Sequence, residues 1–372
     1  MAEVIIKPVN SKADLKSFIK LPYRLYKNNP CWVPHLLLDQ KVLHDRNKHP
    51  FWEHSIAQYF LAEQNGKVVG RIAAIVDHKH NEFHEEKTGF FGFFETIDDY
   101  TVAEKLLQAA KDWVGSQKMN NFRGPVNPSQ NEESGLLIDA FDSPPVLMMT
   151  YNPPYYVDFI ERFGLKKAMD LYAYYAEGKE PPPAKLVRVA EAVRKRYKIV
   201  VRPINMKDYD NEAKKVWYVY NKAWSKNWGF VPMTENEFDH LAKNMKDAIV
   251  PEINLIAEIE GEPIGFSISL PDLNRALIHT NGRLFPTGLL KILWHRRKID
   301  LVRIIILGVV KEHRHKGIDA IMYLDTWRNA GEKGYWRGEM SWILENNEMM
   351  NRSAKMLGGK IYKTYRIYEI NI

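Results

Sequence analysis

The chain has 372 residues, a length that predicts two domains at roughly 100–200 residues each. Hydrophobic residues make up 45% of the chain and charged residues 27%, a balance that is typical of globular proteins and excludes extensive disorder. The apolar runs fall well short of the ~20 residues that span a bilayer, and the N-terminal stretch lacks the pattern of a signal peptide. Without a spanning segment we expect no membrane partner. The one cysteine, Cys31, cannot form an internal disulfide, which favours a cytoplasmic protein.

The chain is basic, with 53 Lys and Arg residues against 46 Asp and Glu residues and a net charge of +7. This charge favours anionic partners, which include phosphorylated cofactors, nucleic acids and acidic surfaces, without choosing among them. Local basic clusters, such as residues 185–198 and 295–298, are equally compatible with solvated helix faces.

The apolar patterning predicts a similar order of elements in each half of the chain. The first half has a strand at 4–9, helical segments, a β-hairpin at 59–77, a strand at 89–96, a helix at 101–117, a strand at 121–125, a helix at 155–163 and a strand at 171–175. The second half has a strand at 199–204, helical segments, a hairpin at 254–272, a strand at 301–310, a helix at 317–331, a strand at 336–344, a helix at 348–357 and a strand at 360–370. This order predicts an α/β (α+β) fold in which each half is a mixed, largely antiparallel sheet flanked by helices.

The clearest boundary between the halves is a proline-rich segment at residues 177–183, which disfavours both helix and sheet. A basic amphipathic helix is predicted directly after it, over residues 184–197. We therefore predict a first domain at residues 1–176, a linker and connecting helix at 177–198, and a second domain at 199–372.

The two halves also repeat short sequence features at nearly one offset. Gly66 and Gly261 are 195 residues apart, and so are Gly70 and Gly265. The segment Trp32-Val-Pro recurs as Phe230-Val-Pro, 198 residues later. A period of domain size indicates duplication of one domain rather than a solenoid of small repeats.

The segment from Ile304 to Asp325 carries the strongest chemical signal. An apolar strand runs into a basic turn, then into a glycine and an amphipathic helix. A helix N-terminus has unpaired N–H groups and partial positive charge, and Gly317 would let the main chain approach a ligand closely. This pattern predicts a site for a phosphate or pyrophosphate.

This segment resembles motif A of the Gcn5-related N-acetyltransferase (GNAT) superfamily, Arg/Gln-x-x-Gly-x-Gly/Ala, through Arg314, Gly317 and the preceding Val309-Val310. The resemblance extends over residues 199–370, and more loosely over 1–176, and implies two GNAT-like domains with acetyl-CoA as co-substrate. It implies that Val309 and Val310 bind the pantetheine arm. It also implies that the turn and helix start hold the pyrophosphate through Arg314, His315, Lys316, Gly317, Ile318 and Asp319. Asn347 matches the family's asparagine, which contacts the cofactor.

Two positions depart from the family pattern. Asp319 stands where Gly or Ala is usual, and its carboxylate would repel a pyrophosphate unless it points away. Ala354 occupies the position of the tyrosine that protonates the leaving thiolate in the family. Tyr323, Tyr362 and Tyr365 are substitutes by residue type only.

Direct acyl transfer needs an amine nucleophile, a base and a donor to the thioester oxygen. We expect the main-chain N–H near Val310 to be that donor. Glu339, Glu345 and Glu258 are candidate bases by position, and a water-mediated base is an equal alternative. We take Glu339, Glu345 and Tyr323 as the candidate catalytic residues.

The first half has no such phosphate turn, because Asp98 and Asp99 stand where basic residues and glycine would be needed. We therefore expect that this degenerate copy does not bind CoA in the usual way. Its polar loops at 123–135 and 151–156 are either a binding surface or ordinary surface loops. The His-rich segment 78–84 reads as an exposed loop, and we expect no metal site.

The function predicted from the sequence is acetyl-CoA-dependent acetylation of a small-molecule or peptide amine by the second domain. Two alternatives stay open: a transferase with another acyl donor such as aminoacyl-tRNA, and a catalytically silent CoA-binding or interaction protein. Nucleic acid other than tRNA is not expected as a partner. The identity of the acceptor and the oligomeric state do not follow from the sequence.

Overall fold

The computed structural model of the chain describes residues 3–224 and 227–372, which fall into two compact units. The N-unit comprises the chain up to Leu171 together with Ala276–Trp294 and Lys363–Ile372. The C-unit comprises Tyr172–Arg275 and His295–Tyr362. Both compact units are thus discontinuous in sequence, whereas the domain limits predicted at residues 176 and 199 follow the chain.

Helices and strands alternate along both units. The helices of the described residues are α1 (Lys12–Leu25), α2 (Leu37–Leu43), α3 (His78–His84), α4 (Tyr100–Ser116), α5 (Tyr155–Arg162), α6 (Ala184–Arg196), α7 (Tyr209–Ala223), α8 (Glu235–Met245), α9 (Asn274–Leu277), α10 (Gly288–Arg296), α11 (Ile318–Glu332) and α12 (Glu348–Met356). The strands are β1 (Val4–Pro8), β2 (Ser55–Gln64), β3 (Lys67–Asp77), β4 (Thr88–Thr96), β5 (Asn121–Gly124), β6 (Val126–Asn127), β7 (Glu133–Ser134), β8 (Leu136–Leu137), β9 (Lys166–Glu177), β10 (Ile199–Pro203), β11 (Leu255–Ile259), β12 (Glu262–Pro271), β13 (Leu301–Val309), β14 (Arg337–Leu344) and β15 (Lys360–Asn371).

The N-unit has a sheet in the order β1-β2-β3-β4-β5, with the end of β15 beside β5. The β4/β5 pair is parallel and the other pairs are antiparallel. One face of the sheet packs against α4 through residues such as Leu106 and Leu107, and the other packs against α1 through Phe18.

The C-unit repeats this plan, with a sheet in the order β10-β11-β12-β13-β14. Again one pair, β13/β14, is parallel and the others are antiparallel. Val302 packs with Ala330, which places α11 on one face, while the ring of Phe266 meets Trp224 at the end of α7 on the other. The predicted α/β fold with largely antiparallel sheets is confirmed.

The register of the two hairpins repeats at the offset seen in the sequence. Val4 pairs with Gln64, and Ile199 with Ile259, so both members of the pair are shifted by 195 residues. A β-bulge follows Ala62 in one hairpin and Ala257 in the other, at the same offset. Duplicated register, down to a bulge, follows from duplicated sequence because the apolar alternation and the turn residues together fix strand pairing.

Two helical regions of the chain were not predicted. The segment 78–84, expected as an exposed loop, is the helix α3, which Asp77 caps by accepting hydrogen bonds from the N–H groups of Lys79 and His80. The stretch 274–296, which carries no predicted element, contains α9 and α10.

Candidate active site

The strands β13 and β14 separate partway along their length. They pair in parallel from Leu301 and Arg337 to Ile304 and Met340, where the register ends. On its other side β13 remains paired with β12 as far as Val309. The two strands therefore enclose an open wedge between residues 305–309 and 341–344, which we call the strand gap.

A bulge marks the start of the strand gap. Ile268 pairs with Ile306, whereas its neighbour Ser269 pairs with Ile304, so Ile305 is the extra residue. Bulges bend a strand and increase its local twist, which explains why β13 leaves β14 at this residue. Ile304, Ile305, Ile306 and Leu307 are all half-buried aliphatic residues, so this stretch of β13 is apolar.

The register also decides which main-chain groups face the strand gap. The N–H of Val310 donates to the carbonyl of Ile264 at 2.9 Å, so Val310 faces β12. Because backbone groups alternate along an antiparallel strand, Leu307 and Val309 direct theirs away from β12, into the gap. The donor was expected near Val310. In that region the N–H of Val310 itself is directed at β12, and the N–H groups directed into the gap are those of Leu307 and Val309.

The helix α11 begins beside the strand gap without a side-chain cap. Its N-cap residue is Gly317, in the left-handed conformation with φ of 78°. A Cβ on Gly317 would lie 2.8 Å from Cγ2 of Val193 in α6, so glycine is needed for packing as well as for conformation. The first N–H groups of α11 therefore have no capping side chain from residue 317.

Asp319 lies in the first turn of this helix and is half-buried. Burial raises the pKa of its carboxyl group, while hydrogen bonds from the backbone N–H groups of Ala320 and Asp319 itself act in the opposite direction. The carboxylate thus points toward the helix N-terminus rather than away from it. An anion arriving at these N–H groups would have to displace or neutralise it.

The three basic residues of the turn play different parts. Arg314 donates through Nε to the carbonyl of Val309 at 3.3 Å and through its other guanidinium nitrogen to the carbonyl of Ala223. It therefore ties the end of β13 to the end of α7. His315 is exposed in the left-handed region, and the Nζ of half-buried Lys316 lies 3.1 Å from Nδ1 of His313.

Trp224 closes one face of β13 beside the strand gap. A Cβ on Gly308 would lie 2.0 Å from Cη2 of Trp224, so only glycine lets the indole lie against the strand. The ring also contacts Phe266 and Tyr220, with centroids 5.6 and 5.3 Å away. The indole of Trp224 therefore covers this face of β13 beside the strand gap.

Asn347 and Glu345 lie at the end of β14. The side chain of Asn347 caps α12 by accepting a hydrogen bond from the N–H of Met350 at 3.2 Å. The half-buried Glu345 follows the last strand residue, and its carbonyl accepts from Nδ2 of Asn351 at 3.2 Å. The sequence pattern that suggested a cofactor contact at Asn347 thus also matches a helix N-cap.

Tyr323 connects α11 to α12. Its side chain is buried, its hydroxyl lies 3.5 Å from Sδ of Met350, and it also hydrogen-bonds Ser353. Burial raises the pKa of this hydroxyl, with a further rise from the charge of Asp319. Tyr323 therefore brings a protonated phenol to the helix turn that contains Ala354, where the family's tyrosine is missing.

Glu339 belongs to a buried polar network at the closed end of the strand gap. Its Oε1 accepts from Oγ of Ser341 at 2.5 Å, and its Oε2 accepts from the hydroxyl of Tyr362. Arg303, which pairs with Glu339 in register, donates to Oγ and the carbonyl of Ser341 at 3.0 and 3.1 Å. Sequence reasoning missed Arg303 and Ser341, although an arginine inside an otherwise apolar strand was the available signal.

The other carboxylate considered as a base, Glu258, is held in ion pairs. It accepts from Arg202 at 2.7 Å and from Lys215 at 3.0 Å, and these contacts lower the pKa of its carboxyl group. Tyr365 lies in the N-unit and is buried there. Contacts within the C-unit thus do not bring Glu258 to the strand gap, and Tyr365 belongs to the other unit.

The corresponding place in the N-unit is filled. The parallel pairing of β4 with β5 ends at Phe90 and Arg123, as in the C-unit. However, the carbonyl of Val126 lies 1.6 Å from where a Cβ on Gly92 would be, and Oδ1 of Asn127 accepts from the N–H of Phe93 at 2.6 Å. The chain after β5 thus occupies the space between the separating strands.

The helix that follows β4 is capped as well. The side chain of Asp99 accepts from the N–H of Thr101 at 2.9 Å at the start of α4. A capping carboxylate at the N-cap position supplies the negative charge that a bound phosphate would supply. The strand gap and the helix start without a capping side chain at its N-cap residue are therefore open in the C-unit, and their counterparts in the N-unit are occupied.

Within 3–224 and 227–372, no three His, Cys, Asp or Glu side chains are grouped so as to hold a metal ion. In the same residues, no helix has both the length and the hydropathy required to cross a membrane.

Two curated proteins resemble the chain along nearly its whole length. "Protein YghO" of Escherichia coli (strain K12) is 37% identical over 377 residues, covering 99% of this chain and 95% of that protein. The "Bacterial ceramide synthase" of Caulobacter vibrioides (strain NA1000 / CB15N) is 36% identical over 381 residues, covering 99% of this chain and 97% of that protein. No protein-family model matches the chain.

Solved structures resemble the chain in fold. A tandem GNAT protein from the clavulanic acid biosynthesis pathway superposes with a TM-score of 0.58 at 11% identity, covering 99% of this chain and 98% of that one. A GCN5-related N-acetyltransferase from Sphaerobacter thermophilus gives 0.52 at 13% identity, covering 99% and 95%. At these identities the likeness concerns fold alone, and it confirms the tandem GNAT resemblance drawn from the sequence.

Proposed function

Because this chain belongs to the family that contains the bacterial ceramide synthase of Caulobacter vibrioides and protein YghO of Escherichia coli, we propose that it is an N-acyltransferase. In this proposal the C-unit takes a long acyl chain from a CoA thioester and transfers it to the primary amine of a long-chain amino alcohol. The observation that carries the proposal is an open strand gap beside an uncapped helix in one copy of a duplicated unit, while the other copy is closed.

The strand gap supplies the groups that a CoA thioester requires. The unpaired main chain of Leu307 and Val309 can hydrogen-bond the pantetheine arm in the manner of a β-strand. The start of α11, with His315 and Lys316 close by, offers N–H groups and positive charge to the pyrophosphate. The carboxylate of Asp319 must then be protonated or rotate away from the helix start, so Asp319 limits the affinity for the CoA thioester.

The transfer itself balances without a cofactor other than the thioester. The neutral amine nitrogen attacks the thioester carbonyl, and the C–N bond of the amide forms as the C–S bond breaks. The one proton that the nitrogen loses balances the one that the departing thiolate gains. An N–H facing the gap stabilises the oxyanion, and Tyr323 is the candidate donor to the thiolate. Glu339 and Glu345 remain the candidate acceptors of the amine proton, Glu339 through the hydroxyl of Ser341.

A long acyl group is favoured over the acetyl group expected from the sequence. The relative from Caulobacter vibrioides is named for ceramide, an amide of a fatty acid and a long-chain amino alcohol. In addition, Ile304, Ile305, Ile306 and Leu307 are half-buried aliphatic residues along the β13 stretch that borders the gap. Apolar surface next to the reacting thioester favours an apolar substrate over a polyamine or a peptide.

The test is an acyl-transfer assay with the purified full chain. Palmitoyl-CoA or acetyl-CoA is offered with sphinganine, and spermidine serves as a polar amine for comparison. We expect N-palmitoyl sphinganine, detected by mass spectrometry with matching CoA release, at a rate at least about tenfold above any other pairing. Tyr323→Phe should lower kcat by about 10²-fold. Tyr209→Phe, at a buried tyrosine whose hydroxyl donates to the carbonyl of Ala242, should leave it unchanged.

Other outcomes would redirect the assignment. Equal rates with acetyl-CoA and spermidine would restore acetylation of polar amines as the function. Absence of turnover together with absence of thermal stabilisation by any CoA thioester would contradict the proposal and leave a silent module.

A further inference from the structure

An exposed apolar ridge lies on α10 and the turn before it. Its members are Phe285, Leu289, Leu290, Leu293 and Trp294, whose exposed fractions are 77%, 45%, 67%, 52% and 62%. Large apolar side chains with this exposure in one short segment are uncommon on proteins that meet only water. We call these five residues the apolar ridge.

The ridge is the outward face of its helix rather than a frayed packing face. Leu289, Leu290, Leu293 and Trp294 follow the i, i+1, i+4, i+5 spacing that places side chains on one side of a helix. The opposite side has Gly288, which is buried, and Ile292, which is half-buried. The helix is therefore packed through one side while it presents large apolar side chains on the other.

The segment is firmly attached to the N-unit. A Cβ on Gly282, whose φ is 71°, would lie 2.5 Å from the ring of Tyr23 in α1. The carbonyl of Gly282 accepts from the N–H of Leu37 at 2.9 Å. A Cβ on Gly288 would lie 1.8 Å from the carbonyl oxygen of Arg283, so the turn is closely packed on itself as well. These contacts hold the ridge in place.

The segment that carries the ridge is itself positively charged. From residue 276 to residue 294 the sequence contains Arg283 and Lys291 but no Asp or Glu. A cleft of about 980 Å³ lies between α1 and residues 280–291 in the N-unit, and Phe285 of the ridge lines it. Among the described residues that line this cleft none is acidic, and the basic ones are Lys16, Lys20, Arg24, Lys27, Arg283 and Lys291.

We propose that the apolar ridge and the basic cleft together dock the protein on the surface of an anionic lipid bilayer. The ridge would enter the interface between headgroups and acyl chains, where Trp and Leu side chains are stable. The lysines and arginines of the cleft would meet lipid phosphates, since basic clusters beside an apolar helix face are attracted to anionic leaflets. Charge complementarity selects this occupant, because a neutral apolar partner would leave the basic cleft unmatched.

This inference extends the proposed function, because long-chain amines and acyl chains reside in membranes. The biological role of the docking rests on the proposed function, whereas the docking surface itself does not. It differs from the expectation of no membrane partner, which came from the absence of a spanning segment. Binding to an interface needs a helix with one apolar face, not a span of ~20 apolar residues.

The experiment is flotation of the purified full chain with vesicles of phosphatidylcholine alone or mixed with phosphatidylglycerol. We expect binding to the mixed vesicles at low salt, at least about tenfold stronger than to phosphatidylcholine and weakened by added salt. The variant Leu290→Ser/Trp294→Ser should lose at least about tenfold in partitioning to the mixed vesicles. Lys20→Glu/Arg283→Glu should remove the preference for anionic lipid.

Matched controls separate these effects from misfolding. Val200→Ser removes an apolar side chain from another exposed site, on β10, and Lys214→Glu reverses an exposed charge on α7. Both controls should bind like the unmodified protein, and all variants should keep its thermal midpoint.

The proposal is overturned if the protein does not bind anionic vesicles, or if it binds them equally well after the ridge substitutions. It is also overturned if the ridge and cleft variants lose binding to an acidic acyl carrier protein while vesicle binding is unchanged. Vesicle binding requires no turnover, so it tests the docking surface separately from the proposed acyl transfer, which is assayed with substrates dispersed in detergent.

Discussion

At the scale of single residues, the candidate site depends on a contrast between Gly317 and Asp319. Gly317 offers no side chain to cap α11, which leaves backbone N–H groups for an anion, yet Asp319 turns its own carboxylate toward the same helix end. In the N-unit the equivalent helix is capped by Asp99 in the ordinary way. The difference is that Asp319 lies inside the helix, where it can be neutralised or can rotate without removing an N-cap.

We expect Asp319→Asn to bind CoA about 2–5-fold more tightly at about pH 7, because it removes a negative charge from the phosphate end of the site. The unmodified protein should bind CoA more tightly as the pH falls, since burial raises the pKa of Asp319 and its protonation has the same effect. Isothermal calorimetry across pH measures both.

The control for this prediction is Asp247→Asn, which neutralises an exposed carboxylate elsewhere in the C-unit. It should leave CoA affinity and its pH dependence unchanged. Weaker binding by Asp319→Asn would mean that the carboxylate itself holds the ligand.

At the scale of elements, the edge of the C-unit sheet is joined to α7 by a compact ion cluster. Arg202 of β10 donates to Glu212 of α7 at 2.6 Å and to Glu258 of β11 at 2.7 Å, and Lys215 contacts both carboxylates. The side chain of Glu212 is only 2% exposed, so its charge is stable only with these partners. The cluster therefore fixes α7, whose end carries Trp224.

Glu212→Gln is expected to lower the free energy of unfolding by about 1–3 kcal/mol at about pH 7, because a buried charged hydrogen-bond network is broken. Burial raises the pKa of Glu212, but Arg202, the N–H of Asn205 and Lys215 lower it to about 2. The folded pKa lies below the unfolded value of ~4.3, so the contribution of Glu212 is complete above that value and is lost as the pH falls toward 2.

Urea denaturation of both proteins from neutral to acidic pH measures this difference, which should shrink below about pH 4. Glu191→Gln, at an exposed position in α6, is the matched control and should show little change at any pH. A difference that is constant with pH would assign the loss to packing instead of charge.

At the scale of the whole molecule, duplication has left one unit closed and the other open. In both units the fourth and fifth strands of the sheet are parallel and then separate. Val126 and Asn127 fill the space between them in the N-unit. The N-unit instead presents the apolar ridge and the basic cleft. In our proposals the C-unit therefore binds the thioester, while the N-unit contacts the lipid surface.

Hydrogen exchange with mass detection can locate the cofactor within this plan. Addition of a CoA thioester should slow amide exchange at residues 305–309 and at the start of α11, where main-chain groups gain hydrogen bonds. Exchange at residues 90–96 and at the start of α4 should not change, because the space between these strands and the start of this helix are already occupied in the N-unit. Protection at both places would show that the N-unit opens to bind, and protection only at residues 90–96 would reverse the assignment of the two units.

The sequence by itself determined the features that depend on neighbouring residues. The hairpins follow from apolar alternation and from the turns Asn65-Gly66 and Glu260-Gly261, in which all four residues have positive φ. These repeated turns also revealed the duplication. The strand, basic turn and helix around Gly317 likewise follow from local patterning, and α11 begins one residue from its predicted start.

Only the tertiary structure decided the features that depend on distant contacts. The hydrogen bond from Val310 to Ile264 set which N–H groups face the gap, and the position of Val126 closed the first copy. The buried network of Glu339 with Arg303 was equally hidden, because a one-residue change in register would move these side chains to the other face. Local sequence determines the periodicity of apolar residues. Strand register, the filling of the space in the N-unit and the burial of Glu339 depend instead on which distant segments come into contact when the chain folds.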